Sequence, residues 1–267
     1  MGRYHLTTVK PNIPVATQIQ SDKTDLPFSA NDILWDWHAF DIPKGANYLK
    51  NIQVIVRGED GASQTARDLY VYFAKTDKYG NAPASLGTGN AATSTIVGGF
   101  QNQLLGALNF DGGTGDLGGA DQLLTSLIMA SYSGGDSGFG HGGLGLVLQG
   151  EPDSGTNVGY DKIYMAGIAG AGNTWDFSTG TTVSGAQAEG LAATATTGLL
   201  VTGTSALLNF SPGDVLKVHD SDTALGTVRS VIDATHIQFE STIGEDAANT
   251  DEVINATPIT LQLHFER

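Results

Sequence analysis

Residues that could support chemistry are concentrated in a glycine-rich segment between residues 111 and 138. Residues 111–116, DGGTGD, place two carboxylates and several backbone carbonyls in a tight loop. These are the oxygen ligands that Ca²⁺ prefers, but the spacing matches neither an EF-hand nor the glycine-rich calcium repeat. A bound cation at this loop stays an alternative, and the sequence predicts no metal and no cofactor.

A second pattern in the same segment is the glycine spacing of a dinucleotide-binding loop, GTGDLG at residues 113–118. Such a loop needs a strand–helix unit whose helix N-terminus faces the pyrophosphate. The carboxylates of Asp111, Asp116 and Asp121 would repel that phosphate, so the match is interpreted as chance.

Residues 135–138, GDSG, resemble the sequence around the nucleophile of trypsin-like proteases. A serine nucleophile also needs a histidine as general base and an aspartate that orients it. In that family the histidine lies upstream, whereas only His5 and His38 precede Ser137 here, and neither has the family's sequence context. No pair of carboxylates stands out as an acid–base couple, and the protein is not expected to be an enzyme. A hydrolase that uses Ser137 is the third of three functional hypotheses.

Composition excludes several other classes. The 267 residues contain no Cys, which excludes a disulfide scaffold and a thiol nucleophile. The formal charge of −15, from 13 Lys and Arg against 28 Asp and Glu, argues against binding to nucleic acid. No apolar run is long enough to span a membrane, and the N-terminus lacks the pattern of a signal peptide. We therefore expect a protein that is made in a cytosol and does not bind a membrane.

The charge is distributed unevenly along the chain. Residues 1–80 hold nine Lys or Arg and nine Asp or Glu, while residues 81–267 hold four and 19. This asymmetry favours an orientation in which the neutral part docks on a partner and the acidic part faces solvent, although it can also serve solubility alone.

The pattern of apolar residues predicts a mainly β protein, an antiparallel β-sandwich or jelly-roll-like domain. Residues 1–30 are expected to form an extended arm because proline blocks helix there. Residues 31–177 form the main β domain, with strands near 32–40, 48–57 and 69–74, a short helix at 121–130 and long glycine-rich loops. The residues expected to contact a partner or a neighbouring subunit are Val9, Pro11, Ile13 and Val15 in the arm, and Trp35 and Trp37 on one face of the first strand.

The C-terminal third differs in composition and in the spacing of its apolar segments. Residues 178–197 are rich in Thr, Ala and Gly and predict a linker. Residues 198–257 contain short, evenly spaced strands that are typical of a small β-barrel. Residues 258–267 predict a terminal strand that returns to the main domain, which makes the barrel an insertion.

The barrel segment carries a family resemblance. Residues 198–243 contain NFSPGDVL and GTVRSVIDATHIQF, with turns at Gly213-Asp214 and at Asp233 to Thr235. This pattern is similar to a small β-barrel module of tailed-bacteriophage virion proteins, and it covers about 45 residues.

The resemblance implies a virion structural protein. A β protein with an extended segment and an added barrel is similar to capsid decoration (cement) proteins, which bind the outer capsid surface and stabilise capsomer junctions. It implies the major capsid protein as partner, a homo-oligomer with a trimer favoured, and a place on the capsid exterior after synthesis in the host cytoplasm. The alternative is a tail, collar or fibre component that binds host surface glycans.

Overall fold

Nearly all of the regular secondary structure that the computed structural model describes is antiparallel β-structure. The described residues are 4–13, 27–43, 47–57, 67–77, 79–93, 103–110, 122–128, 146–148, 160–172, 174–177, 180–185, 199–201, 206–219, 221 and 223–266. The only helix in these ranges is α1 (Ala206–Asn209). The strands are β1 (Tyr4–Val9), β2 (Ile33–Pro43), β3 (Asn47–Arg57), β4 (Arg67–Lys75), β5 (Leu104–Phe110), β6 (Gln122–Ile128), β7 (Leu146–Leu148), β8 (Tyr160–Gly172), β9 (Thr181–Thr182), β10 (Leu199–Leu200), β11 (Val215–Val218), β12 (Ala224–Val231), β13 (His236–Phe239), β14 (Glu252–Asn255) and β15 (Ile259–Glu266).

Two sheets form a β-sandwich, which confirms the predicted fold class. The first sheet has the order β1-β15-β3-β6, with β7 also paired to β3, and the second has the order β2-β8-β4-β5. Their facing sides share one core, to which the first sheet contributes Val54 and Leu261, and the second Phe73 and Met165. The period-two pattern of strands with one buried face placed Val54 in β3, Phe73 in β4 and Leu261 in β15 correctly.

Two predictions about individual elements are wrong. Residues 122–128 form strand β6 instead of a helix, because their backbone pairs with β3 along its whole length. In β2, Trp35 and Trp37 were expected on one face together, but the pairing with β8 shifts register between Trp35 and His38. The extra residue of a bulge changes which face the following side chains occupy, so Phe40 and Ile42 continue the buried face.

The predicted arm is part of the sandwich over its described residues. β1 pairs with β15 over six residues, from Tyr4 opposite Glu266 to Val9 opposite Leu261. Beyond β1, the backbone N–H of Ile13 donates to the carbonyl oxygen of Ala256 at 2.8 Å. This segment therefore completes the protein's own sheet.

The remaining strands form the small β-barrel. Their order is β10-β13-β12-β11-β14-β9, and an isolated bridge between Val183 and Val201 joins the two end strands, which closes the sheet. Its separate core includes Phe210, Leu225 and Phe239. The expectation of a linker at 178–197 is wrong for residues 181–183, which belong to the barrel wall, while residues 186–197 lie outside the described chain.

Candidate docking face

The side of the first sheet that faces away from the core carries a row of exposed apolar side chains. Strand pairing aligns one residue from each of β1, β15, β3 and β7 in a row across the sheet: Tyr4, Glu266, Tyr48 and Val147. Directly opposed residues in an antiparallel sheet share a face. Tyr4 is 81% exposed, Tyr48 43% and Val147 45%. We call this side of the first sheet the outer face.

Leu6 extends the row along β1. It lies two residues from Tyr4, on the same side of the strand, and is 51% exposed. The described residues include eight exposed large hydrophobic side chains, and four of them lie on the outer face. Because monomeric proteins rarely expose large contiguous apolar patches, such a concentration indicates an interaction surface.

Two opposite charges on the outer face are paired with each other. Lys50 Nζ lies 3.1 Å from Glu266 Oε2 and 5.7 Å from the centroid of the Tyr48 ring. Lys50 stands at the bulge where the pairing of β3 with β15 shifts register. A partner that covers this ion pair leaves neither ion without a counter-charge, which lowers the cost of burial.

Most of the residues predicted to contact a partner are unavailable for that role. Val9, Pro11, Ile13 and Trp35 are buried within this chain, so they cannot form the surface of a capsid or subunit contact. This corrects their predicted role, because Val9, Ile13 and Trp35 already belong to the core of the sandwich. Val15 lies outside the described residues.

Trp37 is half-buried on the opposite side of the molecule from the outer face. Its Nε1 donates to the carbonyl oxygen of Ala84 at 2.8 Å, and its ring packs against a small cluster that includes Leu86 and Ile168. The backbone N–H of Leu86 in turn donates to Asp36 Oδ1 at 3.0 Å. Trp37 therefore holds residues 84–86 against the second sheet by packing and one hydrogen bond.

The turn at Gly213 and Asp214 joins the barrel to the sandwich. Gly213 has φ +86, a conformation that glycine adopts without strain. The next residue, Asp214, is buried and forms an ion pair with Lys10, the residue that follows β1. Its carboxylate also accepts from the Ser211 N–H at 2.7 Å and from Asn255 Nδ2 at 2.9 Å.

The second barrel turn, between β12 and β13, is organised by Asp233. Its Oδ1 accepts from the backbone N–H groups of Thr235 at 2.8 Å and His236 at 2.9 Å. The Thr235 N–H, followed by the His236 side chain, holds the pKa of the Asp233 carboxyl well below its ordinary value. This arrangement shapes a hairpin at the surface.

The glycine-rich motifs at 111–118 and 135–138 lie outside the described residues. Within the described ranges, no group of three or more His, Asp or Glu side chains is placed to hold a metal ion. In the same ranges no helix has the length and hydrophobicity needed to cross a membrane.

Comparisons with known proteins returned no match, either to models of protein families, to curated proteins or to solved structures.

The outer face could not be predicted from the sequence, because a bulge in β3 changes which of its side chains are exposed. In an uninterrupted strand Tyr48 would share a face with Ile52, which is buried. The register shift at Lys50 moves Tyr48 to the opposite side. In β1, Tyr4 and Leu6 alternate with residues that lie on the same side of the strand as Val9. This alternation identifies the outer face only once β1 is known to be a strand with one covered face.

Proposed function

We propose that this protein is a non-enzymatic structural component of a tailed-bacteriophage virion, a capsid decoration or cement protein. Its outer face docks on the major capsid protein at the capsid exterior and stabilises capsomer junctions. The observation that carries the proposal is the row of Tyr4, Tyr48 and Val147 around a neutralised ion pair. The resemblance of residues 198–243 to a phage virion module supports the major capsid protein as the proposed partner.

The mechanism requires no reaction. Many copies that each bury apolar surface across a boundary between capsomers oppose its opening, because separation would expose that surface to water. The neutral N-terminal part supports this orientation, since it contributes β1 and β3 to the outer face. The barrel segment 198–257 has nine acidic and two basic residues and faces solvent in this arrangement.

The test is binding to capsid shells assembled from the major capsid protein alone. Tyr48→Ser should reduce affinity about tenfold or more, as expected for an aromatic side chain at the centre of an interface. Tyr79→Ser is the matched control, because Tyr79 is an exposed tyrosine in the segment after β4 and lies outside the outer face. Equal binding by the two variants would contradict the assignment of the docking face.

A second measurement tests the function independently of the face. A decoration protein should be present in the virion in numbers close to those of the major capsid protein, which calibrated mass spectrometry can count. A dozen or fewer copies per virion would contradict the proposal and would fit a tail or collar component.

A further inference from the structure

We infer that His264 makes docking of the outer face sensitive to acid, so that the protein binds its partner near neutral pH and is released when the imidazole gains a proton. This regulation rests on the proposed function, because it acts on the same docking face. Histidine is the side chain whose ordinary change of charge falls between pH 5 and pH 8. The direction of the effect follows from the position of His264 and from the charges around it.

His264 lies in the middle of the outer face. Its neighbours in β15, Leu263 and Phe265, are buried in the core of the sandwich, so its side chain lies on the opposite side of the sheet. Strand pairing places it between Leu6 of β1 and Asn51 of β3, in the row next to the exposed apolar row, and it is half-buried there. A partner that covers the exposed row therefore covers the imidazole as well.

Few titratable groups surround His264 on this face. In the described chain they are Tyr4 of β1, Glu266 of β15, and Tyr48 and Lys50 of β3. β3 also carries Arg57 at its far end, six residues beyond Asn51, whereas β6 and β7 contain no titratable residue. Tyrosine is ordinarily uncharged below pH 8, so the charges near the imidazole are those of Glu266 and Lys50.

The ion pair leaves no counter-charge for a protonated imidazole. Lys50 Nζ lies 3.1 Å from Glu266 Oε2, so this part of the face is electrically neutral when His264 is neutral. Protonation adds one positive charge, and a single carboxylate would then face two cations. A docked partner would bury one cation unpaired, which is costly, whereas the neutral imidazole brings no such cost. The partner therefore binds the neutral form more tightly, and affinity is lost as the pH falls.

The size of the loss follows from linkage between the proton and the partner. A partner that lowers the proton affinity of the imidazole tenfold loses the same factor of its own affinity once the free protein is protonated, because coupling between two ligands is reciprocal. We therefore expect docking at pH 5.5 to be at least about tenfold weaker than at pH 8.

The test measures binding of the full chain to shells assembled from the major capsid protein, over a series from pH 8 to pH 5.5. The natural protein should show the tenfold loss. His264→Gln, which cannot gain a proton, should have the same affinity at pH 5.5 as it has at pH 8. His219→Gln, at a histidine of the barrel that follows β11, is the matched control and should keep the loss. Light scattering at each pH checks that the shells remain intact.

Circular dichroism checks that each variant is folded, and His264→Lys makes the test independently if His264→Gln does not fold. Its permanent charge should give weak docking at every pH in the series. A natural protein whose affinity is constant, or rises towards pH 5.5, overturns the inference, and so does an equal loss in His264→Gln. Docking at pH 8 persists in those results, which separates them from failure of the proposed function. Absence of docking at pH 8 contradicts the proposed function and overturns the inference with it.

Discussion

The joint between the sandwich and the barrel depends on one ammonium group, and Lys10→Met should weaken it strongly. The Asp214 side chain is 1% exposed and that of Lys10 16%. Lys10 Nζ donates to Asp214, to Ser211 Oγ at 3.0 Å and to the Pro212 carbonyl oxygen at 2.9 Å. Methionine retains the apolar stem but leaves a buried carboxylate without a counter-charge.

The magnitude follows from what remains around Asp214. Removal of one member of a buried ion pair costs about 3–5 kcal/mol. Because Ser211 and Asn255 still donate to the carboxylate, we expect the lower end, about 3 kcal/mol. This corresponds to a fall in Tm of roughly 6–12 °C for a chain of this size. The matched control is Lys50→Met, which breaks the solvent-exposed pair with Glu266 and should cost less than about 1 kcal/mol.

The assay is urea unfolding of the natural chain, Lys10→Met, Lys50→Met, Asp214→Asn and the Lys10→Met/Asp214→Asn double variant. The double-mutant cycle should give a coupling free energy of about 2–3 kcal/mol between Lys10 and Asp214. Equal losses of stability for Lys10→Met and Lys50→Met, with a coupling near zero, would refute the reasoning.

Two further predictions concern single positions. Gly167→Ala should destabilise the protein by about 1–3 kcal/mol in chemical denaturation, because a Cβ there would overlap the six-membered ring of Trp35. Unchanged stability would contradict this expectation and would show that the core adapts freely. Asp233→Asn should lower the Tm at pH 7, and its difference in Tm from the natural protein should narrow as the pH falls below 3.8, the ordinary pKa of the carboxyl. The lowered pKa of the folded carboxyl contributes stability that is present above the unfolded pKa. This stability is lost as the folded carboxyl is protonated. A gap that is constant from pH 7 to pH 3 would contradict this origin.

Strands with one covered face were predictable because alternation of apolar and polar residues is itself the signature of such a strand. β3, β4 and β15 have this pattern, and so does β13, which follows the Asp233 turn. β6 was not predictable, since leucines at 123, 124 and 127 are compatible with helical spacing. Only the presence of β3 beside them selects the strand, and a local pattern contains no information about a partner 70 residues away.

The location of residues 4–13 was hidden for the same reason. Their extended backbone could be predicted from proline and β-branched residues, but Val9 pairs with Leu261 of β15 and Ile13 bonds to Ala256, about 240 residues later in the chain. An apolar segment whose cover lies so far along the sequence has the same pattern as an arm that binds another molecule. Bulges made the sides of two further residues unpredictable, since the bulges in β2 and β3 place Trp37 and Tyr48 on the side opposite to the one that simple alternation predicts.

The central place of β15 in the first sheet has a consequence for the order of folding. β15 lies between β1 and β3, yet it follows the whole barrel in the chain. The barrel strands β10 to β14 can associate as they emerge from the ribosome, whereas β1 must wait until β15 has been synthesised. Sheets that close over such long sequence separations form slowly. During this interval the edges of β1 and β3 that later pair with β15 are open, so the yield of native protein should depend on how quickly β15 inserts between them, and on chaperones that shield both strands until then.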